Sequence, residues 1–250
     1  MRIISWNVHC DITEEQYEHI MKKEPDILII EECHTTGFEK VQKNWKNALF
    51  YNDQLYENPE NNKKNMYGIA VFSNEYHFDF TDIFNRNLRY VVPLKVSYEK
   101  SHAFLFNLFV VWTKKAPYNY ITNVIKAVNF PGYADYLKER TLFIGDFNTP
   151  ATKEKKETYE KLLSLGLIDC AKPQDVLKPT YSHSKEICFY TADYCFVNEA
   201  LKNSSCFNVE ETIFDFDKTF EGKNKYLGLS DHVPIQVDIS FALPRSSCVE

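Results

Sequence analysis

Between Tyr67 and Thr113 the chain is a close succession of β-branched and aromatic runs: Tyr67–Ser73, Tyr76–Phe84, Leu88–Ser97 and His102–Thr113. Such runs read as strands, and their short connections permit antiparallel neighbours, because parallel pairing needs a crossover of a dozen or more residues. The middle is therefore expected to be an antiparallel meander. A doubly wound parallel sheet is excluded, since it needs a helix between successive strands. The flanks differ. Arg2–Val8 reads as a strand, and Thr13 with Gln16 three residues on is a capping-box start of a helix that Pro25 closes. Asp26–Ile30 is a short continuous apolar run, suited to a strand buried on both faces. Helices are expected near Phe38–Asn47, in a zone from Tyr118 to Arg140, and over Thr152–Leu165. Strands are expected at Thr141–Ile144 and near Pro179–Ser182, Asp193–Val197, Ser205–Ile213 and Pro234–Phe241. Helix-bearing flanks around a meander predict an α+β sandwich of two sheets with outer helices.

The 250 residues can bury a sizeable core, and 44% hydrophobic with 26% charged residues excludes wholesale disorder. Seven glycines against 15% aromatics exclude glycine-rich architectures. Neither a linker nor an internal repeat is visible, so one domain over 1–242 and a polar tail over 243–250 are expected. No apolar run approaches the roughly 20 residues that span a bilayer. The N-terminus becomes polar too early for a signal peptide, so a soluble, cytoplasmic protein without stable membrane association is expected. Seven cysteines, with no CxxC pair, disfavour a zinc site or disulfide framework and suit buried free thiols in a reducing compartment. No obligate protein partner is evident. The net charge of −6 gives no general attraction for polyphosphates. An anionic substrate would need a local basic patch, a metal ion, or both.

Polar and acidic residues recur at the ends of the predicted buried strands. Asn7 ends the first, Glu31 and Glu32 the second, and Asp146 and Asn148 follow Phe143-Ile144-Gly145. Asp193 opens a strand, and Asp231-His232 precede Val233-Pro234-Ile235. Each alone is an ordinary turn former or polar group. Together they are a set of hard oxygen donors plus one imidazole on rigid supports, suited to Mg²⁺ or Mn²⁺ rather than zinc.

Ile4-Ser5-Trp6-Asn7, Pro25-Asp26-Ile27-Leu28-Ile29-Ile30-Glu31-Glu32, Gly145-Asp146-Phe147-Asn148, Asp193-Tyr194-Cys195-Phe196-Val197 and Ser230-Asp231-His232-Val233-Pro234 resemble, in order, the motifs of the endonuclease/exonuclease/phosphatase superfamily. That family includes DNase I, exonuclease III, abasic-site endonucleases, sphingomyelinases and inositol polyphosphate 5-phosphatases. The resemblance spans residues 4 to 234. It implies a four-layered α/β sandwich of two packed, mostly antiparallel sheets with a site at one edge. By the same resemblance Glu32 is the main metal-binding carboxylate, with Asn7 and Asp231 completing or adjoining the metal site, and Glu31 is flanking. Asp146 and Asn148 would orient the attacking water and a phosphate oxygen. His232 would contact the scissile phosphate, with Asp193 fixing and charging its imidazole.

Many family members carry a further His or Tyr where this chain has Trp112, which can donate an N–H but cannot act as a base. Trp112 is expected to line the site, and strand alternation sets it on the face opposite Val111 and Thr113. His183 is a second candidate for substrate contact, whereas His9 reads as a solvated loop residue. Lys63-Lys64, Lys114-Lys115, Lys153/Lys155/Lys156 and Lys223/Lys225 could form a basic collar around a polyphosphate. The expected function is a Mg²⁺- or Mn²⁺-dependent phosphoesterase, favouring nucleic-acid (DNA or RNA) phosphodiesters. The alternatives are a phosphatase or phosphodiesterase on small phosphorylated metabolites or lipid headgroups, and a catalytically silent binding domain.

Overall fold

The computed structural model describes residues 1–9, 11–52, 67–81, 85, 88, 90–113, 121–148, 156–171, 180–183, 188–214 and 229–241. The expected tail over 243–250 lies outside them. The elements are β1 (Arg2–Asn7), α1 (Glu14–Met21), β2 (Ile27–His34), α2 (Thr35–Val41) with a 3₁₀ turn over Gln42–Asn44, β3 (Asn47–Tyr51), β4 (Tyr67–Ser73), β5 (Tyr76–Phe80), β6 (Val91–Tyr98) and β7 (Phe104–Trp112). There follow α3 (Ile121–Val128), α4 (Pro131–Tyr136), β8 (Thr141–Asp146), α5 (Lys156–Ser164), β9 (Leu167–Asp169), β10 (Tyr181–His183), β11 (Cys188–Tyr190), β12 (Asp193–Asn198), α6 (Glu199–Lys202), β13 (Phe207–Val209), β14 (Ile213–Phe214) and β15 (Ile235–Phe241).

Two mixed sheets face each other. One has the order β13-β15-β1-β2-β4-β3, with β14 also on β15, and the other β5-β6-β7-β8-β12-β9. Both are antiparallel except at the centre, where β1 runs parallel to β2 and β7 parallel to β8. The two sheets thus repeat one pattern that the sequence does not show: Asn7 lies opposite Glu31 as Trp112 lies opposite Asp146. The inner faces pack together through Ile3, Ile27, Ile29, Leu108, Val110, Leu142, Ile144, Cys195 and Val237. The outer face of the first sheet is covered near α1 and α2 by a core containing Ile4, Trp6, Ile20, Leu28, Ile30 and Val41. On the second sheet Phe109, Phe143 and Phe196 pack against residues of α3, α4 and α5. Helix, sheet, sheet and helix form the expected four layers.

The meander is corrected at its first link. β5, β6 and β7 form one, but β4 pairs with β2 and β3 in the other sheet. Ser73 makes the change of sheet: its hydroxyl donates to Asp26 O at 2.7 Å and accepts from Tyr76 N at 3.0 Å. The turn residues it fastens are thereby withheld from a hairpin ladder. The helix expected over Phe38–Asn47 starts and stops earlier, leaving room for the half-buried edge strand β3.

Candidate functional site

Side chains alternate across a strand, so each buried strand presents one row of residues to the inter-sheet core. The rows Ile3-Ser5-Asn7, Ile27-Ile29-Glu31, Leu108-Val110-Trp112, Leu142-Ile144-Asp146 and Val197-Cys195-Asp193 all run towards the same edge of the sandwich. Each begins apolar and ends polar or with an indole. The site is where the inter-sheet core meets solvent.

Strict alternation brings Glu31 to this edge, not Glu32. Glu31 is fully buried, and the Ser5 hydroxyl donates to its Oε1. Burial pushes the Glu31 carboxyl well up, with the Ser5 hydrogen bond opposing. Glu32 reaches the same side because β2 does not end there, as the sequence suggested, but bulges between Glu31 and Cys33. Glu32 takes φ 54°, and its carboxylate is half-buried. Bulges of this kind re-aim a side chain. Glu32 Oε1 accepts from Asn7 Nδ2 at 3.4 Å and from Trp112 Nε1 at 3.3 Å.

Asn7 is the hub. The same NH₂ group donates to Asp146 Oδ2 at 3.1 Å, and Asn7 Oδ1 accepts from His9 N at 3.0 Å. Asp146 is fully buried and is also gripped by Asn148, whose backbone N–H reaches Oδ1 at 2.7 Å. Asn148 sits at φ 48°, and its side chain also donates to Thr113 O at 3.0 Å. Across the edge, Asp193 holds His232 Nδ1 at 3.0 and 3.2 Å. His232 Nε2 lies 4.0 Å from Asp146 Oδ2, beyond hydrogen-bonding distance. All three residues are buried.

Burial pushes the Asp146 carboxyl up to about 8, against the lowering influence of His232. Burial works to lower His232, but Asp193 and Asp146 outweigh it and raise the imidazole to about 10. The triad therefore holds a cationic imidazole between two carboxyls. Thr180 orients it: its hydroxyl accepts from Ala192 N and Asp193 N, at 2.8 and 3.0 Å, and its carbonyl accepts from Val233 N at 2.8 Å.

Asp231 stands apart from that triad. Its Oδ2 pairs with His9 Nδ1 at 3.2 Å, while Oδ1 is buried with no hydrogen-bond partner among the described residues. Trp112 is 6% exposed and belongs to the inter-sheet core. Its N–H edge reaches the site, but its faces are enclosed. His183 lies on β10 with its backbone opposite Cys188; its side chain is outside the described residues. So is the lysine collar, save that Lys156 opens α5.

The sequence reading missed several participants. His9 is an exposed loop residue, as expected, and it also joins Asn7 to Asp231. The Tyr181 ring lies 4.6 Å from that of His232, and Thr180 gave no local signal because its partners Ala192, Asp193 and Val233 are distant in sequence. Four cysteines among the described residues (33, 170, 195 and 206) are free, as expected. Among those residues no helix is long and apolar enough to cross a membrane.

Glu32, Asp231 and Asn7 carry oxygen donors of the kind a hard divalent cation takes; among the described residues, the titratable ligand atoms that all lie within 4.8 Å of one another are those of Asp146, Asp193 and His232. Asp231 Oδ1 is buried with no hydrogen-bond partner among the described residues, a costly arrangement that a bound cation would relieve. Asn7 turns its NH₂ rather than its carbonyl oxygen to Glu32, so ligation by Asn7 requires the amide to turn over.

No protein-family model and no curated protein matches the chain. Solved structures do. An endonuclease/exonuclease/phosphatase family protein from Leptotrichia buccalis is 19% identical, with a TM-score of 0.57 over 96% of this chain and 100% of that one. An AP endonuclease from Archaeoglobus fulgidus is 14% identical, with a TM-score of 0.58 over 97% of this chain and 100% of that one. A mannosyl-6-phosphatase from Bacteroides thetaiotaomicron is 12% identical, with a TM-score of 0.55 over 96% and 100%. The chain has the four-layered, DNase I-like fold of the endonuclease/exonuclease/phosphatase superfamily.

Proposed function

We propose that the protein is a phosphoesterase dependent on Mg²⁺ or Mn²⁺, and that its substrates are nucleic-acid phosphodiesters. The observation that carries the reading is the convergence at one sheet edge of the Asp193–His232 pair, buried Asp146, and the Glu32, Asn7 and Asp231 oxygens. Glu32 and Asp231, with Asn7, would hold a divalent ion, whose chemistry would be charge neutralisation at a phosphoryl group. The chain's own groups do the rest. His232, cationic and anchored through Nδ1, presents Nε2 as a donor to a phosphoryl oxygen as its charge grows. Asp146, with a carboxyl near neutral in its titration, aligns an attacking water and takes its proton. Asn148 holds that carboxylate still. The free thiols support action in a reducing compartment, and the cytoplasm is the proposed location.

A second reading, a phosphatase of small phosphoesters, is favoured by two observations. Trp112 offers no exposed ring face for a base to stack on. The net charge of −6 points the same way.

The deciding experiment measures hydrolysis of linear and circular DNA, RNA, abasic DNA, bis-p-nitrophenyl phosphate, inositol phosphates and sugar phosphates. Each is run with Mg²⁺, with Mn²⁺ and with EDTA. Metal-dependent cleavage of polynucleotides supports the first reading, and cleavage of sugar or inositol phosphates alone supports the second. No turnover with either metal on any substrate overturns both.

A further inference from the structure

The capping-box residue Gln16 does more than the box requires. Its Oε1 accepts from Thr13 N at 2.7 Å, which completes the cap. A capping box works equally with Glu or Gln at this position. The side chain is nevertheless 2% exposed, and its NH₂ donates to Val8 O at 3.2 Å and to Leu229 O at 2.8 Å. Val8 follows Asn7 directly, and Leu229 opens the segment Ser230-Asp231-His232. Further contacts join these segments: Ser230 Oγ donates to Asn7 O at 2.7 Å, Trp6 Nε1 donates to His232 O at 2.9 Å, and His9 Nδ1 pairs with Asp231 Oδ2 at 3.2 Å. Gln16 hydrogen-bonds to both from a third element, α1.

We infer that Gln16 is a positioning residue, a buried clasp that fixes the segment bearing Asn7 against the segment bearing Asp231 and His232. The two segments lie more than 200 residues apart in the chain, and no covalent connection sets their spacing. A glutamine satisfies three acceptor–donor demands at once: one oxygen for the cap and two N–H groups for two carbonyls. A glutamate keeps the first and turns the other two into oxygen facing oxygen. The kinetic consequence rests on the phosphoesterase reading; the structural clasp does not.

The test compares Gln16→Glu, Gln16→Met and Thr13→Ala with the wild type by hydrogen exchange and steady-state kinetics. Both Gln16 variants should speed exchange at Val8, His232 and Val233 by about tenfold or more. In Gln16→Glu the α1 amides should keep their protection, because the cap survives. Turnover should fall by about tenfold or more with KM little changed, since the groups remain but their spacing slackens. Thr13→Ala should loosen α1 and leave kcat near wild type. Should Gln16→Glu fail to fold, the uncharged Gln16→Met carries the comparison alone. Native exchange at the three amides in the Gln16 variants overturns the clasp, as does an equal loss of kcat in Thr13→Ala. A wild type inert on every substrate refutes the phosphoesterase reading instead, while the exchange result still decides the clasp.

Discussion

Gly145 precedes Asp146 on β8, and its position in Gly145-Asp146-Phe147-Asn148 has a backbone reason. It lies opposite Val111 in the parallel pair of β7 and β8, at φ +133°. A Cβ there would stand 2.1 Å from Val111 O and 2.9 Å from Glu31 Oε1. Gly145→Ala therefore meets two costs. Holding an L side chain at such a φ costs about 1–3 kcal/mol. Relieving the contact with a backbone oxygen needs β7 and β8 to separate by about 1 Å, which weakens ladder hydrogen bonds worth about 1 kcal/mol each. The sum is about 3–5 kcal/mol, a large share of the roughly 5–15 kcal/mol that stabilises a typical domain. Urea unfolding should show the midpoint falling with an unchanged slope. The chemistry should suffer more steeply. Asp146 is the next residue, 3.1 Å from Asn7 and 4.0 Å from His232 Nε2, and a displacement near 1 Å costs about a hundredfold in rate. A loss under about 1 kcal/mol together with wild-type turnover would refute the reasoning, by showing that the two strands separate freely at this point.

His232→Ala should lower turnover by about a thousandfold or more, measured on whichever substrate the wild type cleaves. Trp112→Phe keeps the inter-sheet packing but removes the N–H to Glu32, and should weaken activation by Mg²⁺ alike for an oligonucleotide and for bis-p-nitrophenyl phosphate. A loss confined to the oligonucleotide would restore a stacking role for the indole. Asp169 lies on β9, its carboxyl raised by burial against hydrogen bonds from Ala171 N and from Tyr159 OH at 2.7 Å. A raised carboxyl contributes stability that is complete below its unfolded value near 3.8 and is lost as pH rises through the folded value. Asp169→Asn should accordingly gain on the wild type in urea midpoint as pH rises from about 4 to 7, and a pH-independent difference would contradict the assignment.

The rows that build the site are legible in the sequence, because strand alternation is a local property. Ile3-Ser5-Asn7 and Leu142-Ile144-Asp146 turn from apolar to polar at their last step, and a buried strand that does so delivers a polar side chain to the rim of its core. The capping box at Thr13 is equally local, as is the apolar run Ile27–Ile30, whose four residues are all at 0% exposure. What the sequence could not decide depends on partners far along the chain. Alternation alone would have delivered Glu31 to the site, and the choice of Glu32 is made by a bulge against β4, some forty residues away. The runs at Tyr67 and Tyr76 look like one hairpin, yet Ser73 sends them into different sheets because its hydroxyl finds Asp26. Gln16 reads as a helix cap until Leu229 arrives beside it. His9 is an exposed loop residue whose pairing with Asp231 no local signal announces. Local periodicity follows from bond geometry and is written into any short stretch of chain. Which polar groups meet is fixed only when the sheets pack and leave each buried donor and acceptor to find what is near, and that depends on the whole fold.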